Sequence, residues 1–343
     1  MSTFSVLIGC FLFAAILPGC GPFPDFRGLV TGDIKPPILL GALSTEPRSA
    51  VLCFNEPVTP VNGSLSLTPT IQPSAVDCTD STVVLSFADE LIPGLAYFVE
   101  STVKDSSGNQ TRFITLFYGY NPRVPKVLIN EFTTRGSANH PDIVEILVLE
   151  DGNTSGMCVY EGISASWSER CILPNNDVAV GDFILVHFKP EGTADEVNEI
   201  GDRAASKGKD ASATAWDYWV PGGNGLSGNN GIISVYRNPM GEIMDSVLYS
   251  NRNSNSDEAY RGFGSKDTML RADGLQADGE WLSEEELVAP EDAVNPENST
   301  STRSLNRRSD GADTNSKQDW HTVPTRGSTF GERNSDEVHE EDN

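Results

Sequence analysis

The chain has 343 residues and a formal net charge of −25, from 49 acidic against 24 basic side chains. A surface of that sign repels phosphate backbones and anionic headgroups, so nucleic acid is excluded as a partner unless a local basic patch, of which Arg303, Arg307 and Arg308 form the nearest instance, or a bridging cation carries the contact. A chain of this length exceeds one ordinary hydrophobic core and predicts two domains.

The first element is an uncharged apolar run, Val6 to Leu17, closed by Pro18 and Gly19. It is too short for the ~20 residues of a membrane-spanning helix and fits the apolar core of a signal peptide. Leu17-Pro18-Gly19-Cys20 resembles the lipobox of bacterial lipoproteins. That resemblance implies removal of residues 1–19, a diacylglycerol on the Cys20 thiol and usually an N-linked acyl chain, and two or more chains give stable anchoring. Gly21, where some bacteria read Asp as a retention signal, implies an outer-membrane or cell-surface position rather than the inner membrane. Residues 20–37 are rich in Gly and Pro and read as a tether.

Seven short apolar or alternating runs follow: Ile38 to Leu43, Ala50 to Phe54, Ser64 to Leu67, Ser74 to Cys78, Thr82 to Phe87, Ala96 to Val103 and Arg112 to Phe117. Asn62-Gly63, Pro93-Gly94 and Ser107-Gly108-Asn109 supply turns between them. Strands this short, punctuated this often, predict a β-sandwich over residues 38–119. Phe54-Asn55-Glu56-Pro57-Val58, the corner from Leu91 to Tyr97 and the hairpin from Asp105 to Asn109 resemble, in order, motifs of bacterial Ig-like domains of envelope proteins. The resemblance implies a spacer or presentation module without chemistry of its own. Asp105 and Asn109 read as turn residues that tolerate left-handed backbone.

Tyr120 to Pro125 holds two prolines and reads as a hinge. Beyond it, Val127 to Phe132 and Asp142 to Ile146 resemble the opening of the lamin tail domain. Gly225-Leu226-Ser227, Gly231 to Tyr236, Gly241 to Tyr249, Ser301 to Leu305, Asp319-Trp320 and Thr329 to Asn334 continue that pattern in order, with Phe330 where the family has proline. A second Ig-like sandwich over residues 126–334 is what this resemblance implies, with Glu131 and Glu145 as structural residues. The predicted fold is therefore all-β, two Ig-like sandwiches in tandem, followed by a disordered acidic tail over 335–343.

Two insertions swell the second unit. Pro190 to Gly223 contains a helix-compatible piece, Thr193 to Ala205, with Thr193 as N-cap and acidic residues in its first turn. Trp216, Tyr218 and Trp219 follow it and read either as a lid on the sandwich or as partner contacts, since aromatic anchors are enriched in binding hot spots. Asn251 to Thr300 is polar and reads as a mobile surface loop.

After Cys10 leaves with the leader and Cys20 takes lipid, four cysteines remain. Because the first two and the last two fall into different units, disulfides Cys53–Cys78 and Cys158–Cys171 are expected, each worth about 3 kcal/mol by loop closure; free thiols or a metal site are the alternatives, and the C-x-x-C spacing of zinc sites is missing. His140, His187, His321 and His339 stand in no motif for catalysis, and His140 with Asp142 could ligate a metal only as an isolated pair. The reading is thus non-enzymatic, without cofactor or metal. It describes a lipid-anchored binding or adhesion protein whose partner is a protein or glycan, with a passive envelope scaffold and an accessory of a secreted nuclease or phosphatase as the other readings.

Overall fold

The computed structural model describes residues 33–283 and 285–340. Cys20 and the leader lie outside the described residues. The chain is all-β, with strands distributed over two bodies and one α-helix among the described residues.

The first body contains β1 (Leu39–Glu46), β2 (Ser49–Phe54), β3 (Thr59–Pro60), β4 (Ser66–Thr68), β5 (Pro73–Thr79), β6 (Thr82–Phe87), β7 (Ala96–Lys104) and β8 (Gln110–Tyr118). One sheet runs β1-β2-β6-β5; in the other, β3 and β4 lie end to end along one edge of β7 and β8 pairs with its other edge. Period-two alternation aims Ala50, Leu52 and Phe54 of β2 and Val83, Leu85 and Phe87 of β6 into a shared core, against Tyr97, Val99 and Phe117 of the facing sheet. The corner from Leu91 is closed by Tyr97, whose hydroxyl accepts from the Ile92 N–H at 2.9 Å. Gly63, Gly94 and Gly108 all sit at φ between 71° and 92°, the left-handed backbone that the predicted turns require.

The second body contains β9 (Val127–Phe132), β10 (Ile143–Val148), β11 (Gly152–Asn153), β12 (Cys158–Ile163), β13 (Ser166–Ile172), β14 (Asp177–Val178), β15 (Phe183–His187), β16 (Ala215–Trp219), β17 (Asn230–Tyr236), β18 (Ile243–Ser250), the helix α1 (Lys266–Ala277), β19 (Leu305–Arg307) and β20 (Trp320–Thr322). A six-stranded sheet, β16-β15-β10-β9-β19-β20, faces a four-stranded one, β13-β12-β17-β18, across a core that includes Ile129, Val144, Ile184, Val159, Ile233 and Val247.

Several sequence expectations are corrected here. Residues 193–205 form no helix. Gly201 sits at φ 71°, and acidic side chains hold loop backbone instead: Glu196, expected in the first turn, accepts from the N–H groups of Glu191, Gly192 and Thr193, and Glu199 further along accepts from those of Ser206 and Asp217. The helix lies in the other insertion, capped by Ser265, whose Oγ accepts from the Thr268 N–H. That insertion is not a loose loop, because Phe263, Ala272, Leu275, Trp281 and Val288 are buried in the main core. The tail is ordered through 340: the His339 N–H donates to the Thr322 carbonyl at 2.8 Å and Asp336 accepts from the Ser309 N–H at 2.8 Å.

Both expected disulfides are absent, and register explains why. Cys158 lies opposite Ile172 while Cys171 lies opposite Val159, so the two thiols leave opposite faces of one strand pair, Cys171 into the main core and Cys158 into a small cluster with Tyr160 and Tyr236. Cys53 is opposite Thr82 and Cys78 opposite Val83, on either side of β6, which separates them by about two strand spacings, roughly 9–10 Å, and beyond bridging reach. All four are free thiols, and burial pushes Cys158 and Cys171 up to about 12.

The hinge is clamped. The Asn121 side-chain amide donates to the Asn153 and Ser155 carbonyls at 2.8 and 3.0 Å, the Ser155 hydroxyl donates to the Pro93 carbonyl at 2.6 Å, and Gly94 and Gly156 meet backbone to backbone so closely that a Cβ on either would overlap the other.

Candidate functional site

At one end of the second body, strand pairing sets Glu131 of β9 directly opposite Glu145 of β10, both fully buried. Neither carboxyl meets a cation. Glu131 accepts from the Thr329 N–H at 2.9 Å and from its hydroxyl at 2.6 Å; Glu145 accepts from the Gly331 N–H at 2.5 Å and the Asn130 amide at 2.6 Å. The Asn334 amide completes the lock by donating to the carbonyls of Asn130 and Arg307 at 2.8 and 2.7 Å. Burial raises Glu131 above the ordinary carboxylate range, and burial followed by the charge of Glu131 raises Glu145 well above it, so ionising the pair costs more than ionising exposed carboxyls. The two residues expected to be structural therefore tie the C-terminal segment to the sheet.

A second lock lies beside it. Arg307 donates to Asp245 at 2.8 Å and to the Ile129 carbonyl at 2.7 Å, and its guanidinium lies 4.8 Å from the Trp320 ring centroid. Burial pushes Asp245 up to about 7, with the Arg307 charge opposing. Arg307 is thus a core residue and Arg303 is engaged by His339, so the three arginines form no basic surface patch.

The carboxylate pair fixes the residues on both sides of Phe330, and that ring forms one wall of a cleft of about 780 Å³. The turn from Asp210 to Thr214, at the end of the insertion that follows β15, forms another wall of the same cleft. Parallel pairing of β16 with β15 sets that turn, and the Ser212 N–H donates to Asp217 at 2.8 Å. Asp217 in turn meets His187 Nε2 at 2.6 Å, with the Trp219 ring stacked on His187 at 3.8 Å. The two walls touch at Gly331, whose φ is 79° and where a Cβ would come within 2.5 Å of the Ser212 and Thr214 hydroxyls. Around the rim, His140 Nδ1 lies 3.1 Å from Asp210, and Arg326 stands exposed at φ 65°.

Trp216, Tyr218 and Trp219 are not surface anchors. They are 7%, 0% and 6% exposed, because β16 is covered on both faces, by the core on one side and by its own insertion on the other. Their polar atoms serve the fold: Tyr218 Oη accepts from Asn176, Trp216 Nε1 donates to Asp182 and Trp219 Nε1 to Ser206. Asp142 is not paired with His140 around a metal; its two oxygens accept from the N–H groups of Gly136 and Leu226 at 2.7 and 2.9 Å. Asp105 accepts from the Asn109 N–H at 2.9 Å and so closes the turn, although Gly108 and not Asp105 or Asn109 takes the left-handed backbone; its carboxylate lies near those of Asp33 and Glu56, but both its oxygens are taken up by Asn109. Sequence reasoning missed Asp210, Arg326 and Phe330 as cleft residues. Only Phe330 carried a signal, as the position where its motif departs from the pattern it resembles.

Two all-β bodies joined through a clamped linker, the second enclosing a polar cleft at one end, define the class of this protein. The chain belongs to the family described as the TP_1001 protein second domain, which matches residues 125–322 and so spans the second body up to β20. Arg326, Ser328 and Phe330 follow directly after that span. The chain is 26% identical over 165 residues to a protein of Treponema pallidum (strain Nichols) described as uncharacterized, a match that covers 46% of this chain and 40% of that protein. The chain thus matches less than half the length of this curated relative. Solved structures of the bacterial S-layer protein SbsC superpose at TM-scores of 0.25 and 0.24 with 13% identity, covering 62% of this chain and 43% and 40% of those chains, a likeness too slight to bear on fold or function.

Proposed function

We propose that this is a lipid-anchored envelope protein, acylated at Cys20, that acts as a binding module: an Ig-like first body serves as spacer, and a lamin-tail-like second body presents the cleft. The observation that carries the reading is the fixed geometry of that cleft. A buried carboxylate pair holds both neighbours of Phe330, and Gly331 joins the C-terminal wall to the Asp210–Thr214 wall. Rigid walls that bring polar side chains and an apolar ring to one space are what a preformed ligand site needs. The convergence of Asn130, Glu131, Glu145, Thr329, Gly331 and Asn334 in one network supports the lamin-tail resemblance, since those positions come from separate stretches of its pattern.

The test uses the full chain, first in its own membrane and then solubilised in detergent. Cys20→Ser should abolish acylation and detergent-phase partition, and Phe330→Ala should abolish retention of isolated envelope or host-matrix material by the detergent-solubilised protein while the thermal midpoint holds. Unchanged retention by Phe330→Ala would favour the passive scaffold, and turnover of a nuclease or phosphatase substrate by the wild type would favour the hydrolase accessory.

A further inference from the structure

We infer that the cleft takes a saccharide bearing a carboxylate, with Arg326 receiving the carboxylate and Phe330 the apolar face of a sugar ring. The inference rests on the binding-module reading above. Three independent features of the cleft lead to it.

The first is charge. The ionisable groups lining the cleft are Arg326, His140 and Asp210, and Asp210 is already engaged by His140. Arg326 is anchored through its backbone, its N–H donating to the Thr302 carbonyl at 2.8 Å, and among the described residues no carboxylate ion-pairs with its guanidinium. On a chain of net charge −25 this cleft therefore offers one uncommitted cation. A guanidinium fork matches a carboxylate with two parallel hydrogen bonds. A phosphate dianion would leave charge unbalanced against a single arginine.

Hydroxyl density is the second feature. Ser212, Thr214, Ser301, Thr302 and Ser328 line the same space. The Ser212 and Thr214 hydroxyls share a bond of 2.8 Å and Ser212 Oγ also accepts from the Thr214 N–H at 3.2 Å, which still leaves lone pairs and one hydroxyl proton to spend. Side chains that both donate and accept suit a ligand whose own groups do the same, and sugar hydroxyls do.

The third is Phe330. Its ring is half-buried against Ile143, Leu185 and Ala215, so one face is held by apolar contacts while the ring borders the cleft. Sugar rings present a face of C–H groups that packs on such a surface. The cleft volume of about 780 Å³ falls within the range of about 300–1,000 Å³ usual for small-molecule sites.

The test is calorimetric titration of the full chain in detergent with a short glucuronate-containing oligosaccharide, the hyaluronan tetrasaccharide, its methyl ester and a sulfated, carboxylate-free keratan fragment. Short probes are used because the acidic surface repels a polyanion. The acid should bind about tenfold or more tightly than the ester, the worth of one charge-assisted hydrogen-bonded pair. Arg326→Gln should erase that difference, Arg326→Lys should restore part of it, and Phe330→Ala should weaken acid and ester alike. Equal affinity for acid and ester, an acid preference that survives Arg326→Gln, or preferential binding of the sulfated fragment would each overturn the inference. If no saccharide binds the wild type although Phe330→Ala still abolishes retention of envelope or host material, the saccharide class falls and the binding module stands; if retention is also unaffected, both fall.

Discussion

Glu131 and Glu145 face one another across the β9–β10 pair, and each holds the backbone of a residue adjacent to Phe330: Glu131 the N–H of Thr329, Glu145 the N–H of Gly331. Two acids are thereby stored inside the fold to position a ring at its surface. Burial opposes their ionisation and hydrogen bonds offset only part of that cost, so this end of the sandwich should respond to pH.

The sign follows from the raised values. Stability from these groups is fully present below the ordinary carboxylate range, about 4.3 for an unfolded Glu, and is lost as pH rises through their higher folded values. Glu131→Gln keeps an amide oxygen to accept from the Thr329 N–H and an amide N–H to donate to its hydroxyl, while it removes the charge that helps raise Glu145. Urea unfolding of the variant should therefore show a shallower decline than the wild type as pH rises above the ordinary Glu range, with a gain on the order of 1 kcal/mol once the wild-type pair ionises. A parallel decline in both proteins would mean that the pair does not carry the effect.

Much of the first body is legible in sequence because its strands have one wet face. Alternation in Ser49–Phe54 and Thr82–Phe87 reports which residues turn inward, and the glycines at positive φ mark the turns. Legibility fails where a strand is covered on both faces. Ala215 to Trp219 is buried at every position, so its aromatics carry no alternation, and in a surround of small polar residues they imitate an exposed hot spot. It fails again where side chains compete for backbone donors. The carboxylate of Glu196, which suggests a helix start, closes a loop instead, whereas α1 contains Gly274 and has no acidic residue beyond Asp267 in its first turn. Cysteine pairing was illegible because it depends on register, and a single-residue offset moves a thiol to the other face.

The thiols give a direct check of that register. Without reductant, the denatured protein should release four reactive thiols from Cys53, Cys78, Cys158 and Cys171. In the native state exposed Cys78 should react first, and Cys158 and Cys171 should react only on unfolding, since both are buried and pushed up to about 12. A Cys158–Cys171 bridge found by peptide mapping would show that the β12–β13 pairing is wrong.

Gly94 and Gly156 make the linker a joint with one setting. A Cβ on Gly156 would lie 2.5 Å from the Gly94 Cα, and φ at Gly156 is 83°, so Gly156→Ala forces both strain and separation. About 1–2 kcal/mol of left-handed backbone strain is expected at that position alone. Small-angle scattering should show a broader distribution of distances between the two bodies, with far-ultraviolet circular dichroism unchanged. An unaltered distribution would mean that the contacts of Asn121 and Ser155 suffice to hold the bodies together.

Gly331 is where the cleft, the carboxylate pair and the insertion meet, which makes it the most informative single substitution. Its φ of 79° favours glycine, and an added Cβ would stand 2.5 Å from the hydroxyls of both Ser212 and Thr214. Gly331→Ala must displace either the Asp210–Thr214 turn or the C-terminal segment; the latter lengthens the bond from the Gly331 N–H to Glu145 and leaves a buried carboxyl short of a donor. The expected loss is about 2–3 kcal/mol by urea unfolding, accompanied by weaker ligand retention, because Phe330 moves with its neighbour. Ser212→Ala in the same chain cannot relieve the overlap, since Thr214 presents the same distance; Ser212→Gly with Thr214→Ala should recover part of the stability. Recovery of stability would show that the contact between the walls sets the cost, and no recovery would indicate that strain at φ 79° dominates this position.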